Sequence, residues 1–176
     1  GYQIATELIE CGIDFSFTPV LDLNYGRSQV IGDRAFSSNP TVVLNLASQL
    51  MYGLRKGGMI AVGKHFPGHG YVTQDSHFEI PLDTRSFSDI MKHDLLPFHG
   101  LIQAGLAAIM PAHVIYTQVD SFPPCFSVFW LQKVLRGQLG FEGVIMSDDL
   151  SMGGAHSVGS NVQERTADAL KAGCDL

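Results

Sequence analysis

Three histidines, a lysine and an aspartate fall within the fourteen residues from Lys64 to His77, in the runs Lys64-His65-Phe66-Pro67-Gly68-His69-Gly70 and Tyr71-Val72-Thr73-Gln74-Asp75-Ser76-His77. Glycine and proline at this density forbid regular helix or strand, so the segment reads as a loop that presents side chains. His77 stands two residues after Asp75, close enough for the carboxylate to orient one ring nitrogen while the other faces a substrate. Such a pair suits general acid and base work near neutral pH, because the unperturbed pKa of histidine is about 6.5. Downstream, Ser147-Asp148-Asp149-Leu150-Ser151-Met152 sets two adjacent carboxylates at the end of an apolar run. Successive strand side chains face opposite ways, so only one of the two points easily at a shared site. The alternative is a polar strand end in which one aspartate caps the following helix.

Lys64 and His65 could donate hydrogen bonds to hydroxyl groups, and Arg34, in a long loop, could clamp an acceptor. The structural alternatives are a buried lysine paired with Asp22 and a solvated surface arginine. A metal-dependent hydrolase with His65, His69, His113 and Asp148 as ligands is a further reading of the same residues.

The elements that must position these groups alternate regularly. Short apolar runs are predicted as strands at Phe15–Leu23, Met59–His65, Ala107–His113 and Gly143–Asp148, with a fifth beginning at Gly173. Helical spacing predicts helices over about Pro40–Lys56, Ser88–Ala104, Val128–Leu139 and Asn161–Ala172, after a helical segment up to about Cys11. Asn39 is a cap residue, Pro40 fits the first helical position, and Gly57-Gly58 is a stop signal. Repeated β/α units of this kind build a parallel sheet. The polar residues Asp22, Asn24, Lys64, His65, His113, Asp148 and Asp149 all fall at carboxyl ends of strands, which form the catalytic face of a parallel barrel. No glycine-rich dinucleotide fingerprint follows any strand, which favours the barrel over an open doubly wound sheet.

The expected fold class is therefore α/β, a (β/α)8 TIM-type barrel of which residues 1–176 supply about five units of a single catalytic domain. A complete barrel of this type takes about 250 residues. The chain opens inside a helix and stops as a strand starts, so it is expected to lack the N-terminal units and the C-terminal end. Of its 176 residues, 45% are hydrophobic and 16% charged, which excludes a disordered or fibrous class. A net charge of −6 without a basic run offers nothing to nucleic acid or an anionic bilayer. Neither a transmembrane segment nor a leader is expected. Cys11, Cys125 and Cys174 are too few and too scattered for a disulfide framework or a zinc site, which points to a reducing compartment.

Taken together, Lys64-His65-Phe66-Pro67-Gly68-His69-Gly70, Asp75-Ser76-His77, Met110-Pro111-Ala112-His113 and Ser147-Asp148-Asp149-Leu150-Ser151-Met152 resemble the β-N-acetylhexosaminidases of glycoside hydrolase family 3, and more narrowly the bacterial enzymes of peptidoglycan recycling. The resemblance spans essentially the whole chain and implies a retaining exo-β-N-acetylglucosaminidase acting on muropeptides. Asp148 would be the nucleophile, and His77, oriented by Asp75, the acid and base. Arg34, Lys64 and His65 would bind the sugar hydroxyls, with His113 and Met152 lining the pocket. The loop's glycines and proline would let it carry His77 in and out with substrate. No metal or other cofactor is implied, and a cytoplasmic, monomeric full-length enzyme is expected. An Asp and an Arg that the family places before Phe15 are absent from this chain. Some relatives with a histidine acid/base act as phosphorylases, which stands as the alternative.

Overall fold

The computed structural model describes residues 1–176. Helix α1 (Tyr2–Glu10) leads into strand β1 (Phe15–Ser16), and helix α2 (Pro40–Lys56) into β2 (Ile60–Phe66). After a long loop come β3 (Leu82–Asp83), helices α3 (Phe87–Lys92) and α4 (Leu95–Gln103), and β4 (Ala108–Pro111). Strand β5 (Ile115–Tyr116) and a π-type helix (Phe129–Gln138) precede β6 (Val144–Ile145), which α5 (Val162–Ala172) follows. Strands β1, β2, β4 and β6 form one sheet in that order, every pair parallel, with Phe15 beside Ile60, Val62 beside Ala108 and Ala108 beside Val144. A doubly wound sheet reverses its strand order at a switch point. Here the four strands follow chain order across the sheet without a reversal, as around a barrel, so the chain is a section of a TIM-type (β/α) barrel.

Helix α2 shows why these residues form these elements. The Asn39 side chain accepts from Thr41 N at 2.9 Å and Val42 N at 3.4 Å, Pro40 occupies the first turn, and Arg55 and Lys56 sit at the negative end of the dipole. Its buried residues Val43, Ala47, Met51 and Leu54 recur every three or four positions, which makes one apolar face against the sheet and the neighbouring helices. The main core lies on this helix side, where Phe66 meets Phe98 and Trp130 edge to face at centroid distances of 5.5 and 6.1 Å. A smaller apolar layer, Val62, Ala108 and Met110 with Met146, covers the other face of the sheet. Side-chain alternation puts Lys64 next in that inner row. No helix is long and apolar enough to cross a membrane.

Several elements differ from expectation. The first strand is a ladder of two residues, continued only by a bridge from Val20 to Lys64, because Pro19 has no N–H to donate. The helix expected over Ser88–Ala104 breaks at His93 and Asp94. Proline at 97 cannot donate to the His93 carbonyl and its ring would collide with that group, so a continuous helix is excluded. Beyond Ile145 the fourth strand loses regular pairing, yet Asp175 N donates to Ile145 O at 2.8 Å and Ser147 N to Leu176 O at 2.7 Å, which is the start of the expected fifth strand. The small parallel sheet of β3 and β5, with Leu82 beside Ile115 and Asp83 beside Tyr116, was not predicted.

Candidate active site

The loop after β2 starts from a fixed root. Tyr116 donates its hydroxyl to the Gly68 carbonyl at 2.8 Å. Gly68 has φ +144°, and Asp94 Oδ1 lies 2.7 Å from where a Cβ would stand, so a side chain is excluded on both counts. Asp94 in turn accepts from Arg85 Nη1 at 2.7 Å and from the Tyr25 hydroxyl at 2.9 Å, while Arg85 Nη2 reaches Asp83 at 2.7 Å. Burial pushes the Asp94 carboxyl above its ordinary range and the Arg85 guanidinium works against it. A partly buried arginine shared by two buried aspartates thus fixes the β3 side of the loop to the end of α3.

Asp22, 1% exposed, supports the other side. It accepts from His69 N at 2.7 Å, from His65 N at 3.2 Å, and lies 2.7 Å from His65 Nδ1. Burial raises the Asp22 carboxyl, but the interactions with His65 and His69 outweigh this and hold it below the usual carboxylate range. With Nδ1 committed to Asp22, His65 presents its other nitrogen to the cavity. The register of β2 against β4 shifts between Lys64 and Phe66, and the Lys64–His65 peptide bond is cis. The shift makes His65 the extra residue of a bulge, which is how two neighbours line one cavity instead of facing opposite sides. Burial lowers the Lys64 ammonium from its ordinary value, with the Asp148 charge opposing the change and Arg34 adding to it. Lys64 and Asp148 line one cavity, and Asp22, the expected structural partner of Lys64, is taken by His65 and His69.

Asp75 Oδ1 accepts from His77 N at 2.9 Å and lies 2.6 Å from His77 Nδ1. The backbone bond from His77 first, and its side chain after it, hold the Asp75 carboxyl below its ordinary value. The His77 ring is thereby aimed, with Nε2 uncommitted. At the end of the β6 run, Asp148 Oδ1 accepts from Asp149 N at 2.8 Å, and Asp149 Oδ1 accepts from Ser151 N at 2.8 Å. The adjacent carboxylates divide: Asp149 is exposed, closes a turn and reaches only an outer space, while Asp148 also lines an inner cavity.

That cavity, of about 110 Å3, is lined by Arg34, Lys64, His65, His77, Asp148 and Met152 among others. A second space of about 430 Å3 adjoins it at Lys64 and Asp148, between Phe17 and Met110. Arg34 Nε and Nη2 donate to the Val30 carbonyl at 3.1 and 2.7 Å, which fixes the guanidinium at the rim. Asp75 stands behind His77. His113 departs from expectation: it is fully buried, its Nε2 is 3.2 Å from the Asp149 carbonyl, and its ring stacks on Phe126 at 5.7 Å. It braces the backbone beside Asp148 from below and does not line the cavity, and burial lowers its basicity. Of the four residues of the metal reading, His65, His69 and Asp148 line this cavity and His113 lies behind it, and no three or more His, Cys, Asp or Glu side chains are grouped to hold an ion. Asp22, expected as a strand-end polar residue or as the partner of a buried Lys64, supports His65 and His69 instead, and Ser76, within the Asp75-Ser76-His77 motif but assigned no role in the sequence, meets His69.

Residues 1–176 match the glycosyl hydrolase family 3 N terminal domain. The chain is 61% identical to a β-hexosaminidase of Methylobacillus flagellatus and 58% identical to one of Nitrosospira multiformis, each over 176 residues that cover all of this chain and 50% of the relative. NagZ from Neisseria gonorrhoeae, solved in complex with N-trifluoroacetyl-D-glucosamine, is 51% identical and superposes with a TM-score of 0.92 over 99% of this chain and 50% of its own. The chain spans about half the length of the curated relatives it matches. A barrel section that carries its polar residues at strand ends, and that matches one family over its whole length, belongs to glycosyl hydrolase family 3, within the N-terminal domain.

Proposed function

We propose that the protein carrying this chain is a retaining exo-β-N-acetylglucosaminidase. The observation that carries the reading is that Asp148 and His77, the latter seated on Asp75, line one cavity together with Arg34, Lys64 and His65. Asp148 attacks the anomeric carbon and forms a glycosyl ester as the bond to the leaving oxygen breaks. His77, protonated at Nε2, gives its proton to that oxygen and then takes one from the water that opens the ester. Retaining glycosidases ordinarily use two carboxyl groups for these roles. An imidazole replaces the second one here, and it needs no large shift to serve as an acid near pH 7. Lys64 shares the cavity with Asp148, Arg34 and Lys64 supply donors to the sugar hydroxyls, and His65, its Nδ1–H spent on Asp22, offers Nε2 as an acceptor. Met152 gives the sugar an apolar wall. Asp75 stays ionised and stabilises the imidazolium without taking its proton.

The substrate is a terminal β-linked N-acetylglucosamine of muropeptide fragments, and the compartment is the bacterial cytoplasm. The relatives' name, β-hexosaminidase, and the N-trifluoroacetyl-D-glucosamine held by the Neisseria gonorrhoeae protein support the sugar, while the muropeptide and the compartment rest on the resemblance of the four strand-end motifs. Proton NMR of the first sugar released from an aryl β-N-acetylglucosaminide tests the chemistry. The β anomer is expected, and an initial α anomer would refute a covalent intermediate. One observation favours a second reading. The acid/base carries no negative charge and the cations Arg34 and Lys64 line the same cavity, so phosphate could enter where water does, making the enzyme a phosphorylase.

A further inference from the structure

The loop that carries Asp75 and His77 is held by contacts that the reaction does not itself require. His69 and Ser76 are each 3% exposed, and His69 Nε2 lies 2.9 Å from Ser76 Oγ. The His69 backbone N–H is anchored on Asp22, and its Nδ1 is buried without a partner. A neutral ring carries one N–H, and burial keeps this ring neutral. Placing that hydrogen on Nδ1 would orphan a buried donor, so it sits on Nε2 and points at Ser76 Oγ. From the opposite side, Gly154 N donates to the Ser76 carbonyl at 2.8 Å and Gly153 N to the His77 carbonyl at 3.0 Å. A Cβ on Gly154 would stand 2.7 Å from the His113 carbonyl and 3.2 Å from that of Ser76, so the close seat requires glycine. The turn bearing His77 is thus clamped between the β2 loop and the segment that follows Asp148.

We propose that His69 is a positioning residue for the proton-transfer step. Its Nε2–H on Ser76, with the Gly153 and Gly154 amides opposite, seats the 75–77 turn so that His77 Nε2 faces the leaving oxygen on the Asp148 side of the cavity. This rests on the reading of Asp148 as nucleophile and His77 as acid and base.

The test measures kcat/KM on the full-length protein for two aryl β-N-acetylglucosaminides, one with a dinitrophenol leaving group that departs unaided and one with phenol, which needs the acid. General acid catalysis contributes roughly 100- to 10,000-fold. Ser76→Ala and His69→Asn should therefore cut the phenyl substrate by about tenfold or more and leave the dinitrophenyl substrate within about threefold. His69→Gln, whose amide nitrogen can occupy the place of Nε2, should restore the wild-type leaving-group dependence. Equal losses on both substrates, or no loss on either, would overturn the proposal. Should His69→Asn not fold, Ser76→Ala makes the same comparison. Failure of the reading beneath it would show in the wild type, where a trapped glycosyl adduct would be absent from Asp148; that result would remove the proposal too.

Discussion

Asp22→Asn is the sharpest single perturbation of the architecture behind the site. The carboxylate is fully buried and serves three groups: His65 Nδ1 at 2.7 Å, His65 N at 3.2 Å and His69 N at 2.7 Å. An asparagine keeps one acceptor oxygen but turns an amide NH2 toward its neighbours. If that oxygen serves His69 N, the amide meets His65 Nδ1 and forces the ring hydrogen to the cavity side, which reverses what His65 offers a sugar. A hydrogen bond between neutral groups is worth about 0.5–1.5 kcal/mol. Lost from substrate binding, that is roughly a 2- to 13-fold fall in kcat/KM. Stability shows the same carboxylate through pH. Because the folded pKa of Asp22 is lowered, its contribution is complete above the unfolded value of about 3.9 and disappears as pH falls through the folded value. Denaturant titration of the full-length protein at pH 7 and at descending pH should therefore show the wild type more stable at pH 7, with the gap to Asp22→Asn closing in acid. A variant with wild-type stability and kcat/KM at pH 7 would refute the role assigned to Asp22.

Other perturbations probe separate links. His77→Ala should slow poor leaving groups by roughly 100-fold or more and good ones far less, which a leaving-group series would read; a uniform loss would count against the acid role. Arg85→Met strands Asp83 and Asp94 in the interior, and breaking a buried ion pair costs about 3–5 kcal/mol, so a marked fall in the urea midpoint is expected. Turnover of an aryl N-acetylglucosaminide should proceed without phosphate, and a strict phosphate requirement would favour the phosphorylase reading.

What could be read in the sequence was whatever local chemistry decides. Asn39-Pro40 and Gly57-Gly58 bracket α2 because caps act within one turn, and the strand-end motifs marked the cavity wall because barrel topology brings strand ends together. The small β3–β5 sheet escaped, since two residues carry no periodicity. The break at His93 was legible in Pro97, but the apolar spacing around it masked the signal. Asp22 and His113 show the deeper limit. An aspartate and a histidine at strand ends carry the same sequence signal whether they line the cavity or stand behind it. Only three-dimensional packing put Asp22 beneath His65 and His113 beneath Asp149.

The central claim is that Asp148 forms the bond to the sugar. Incubation of the full-length protein with a fluorinated N-acetylglucosaminyl fluoride, whose ring fluorine slows both steps and whose leaving group rescues the first, should trap the intermediate for peptide mapping. One added sugar is expected on the peptide containing Asp148 and none in Asp148→Ala. A label on Asp149 or elsewhere, or turnover with no adduct at all, would contradict it.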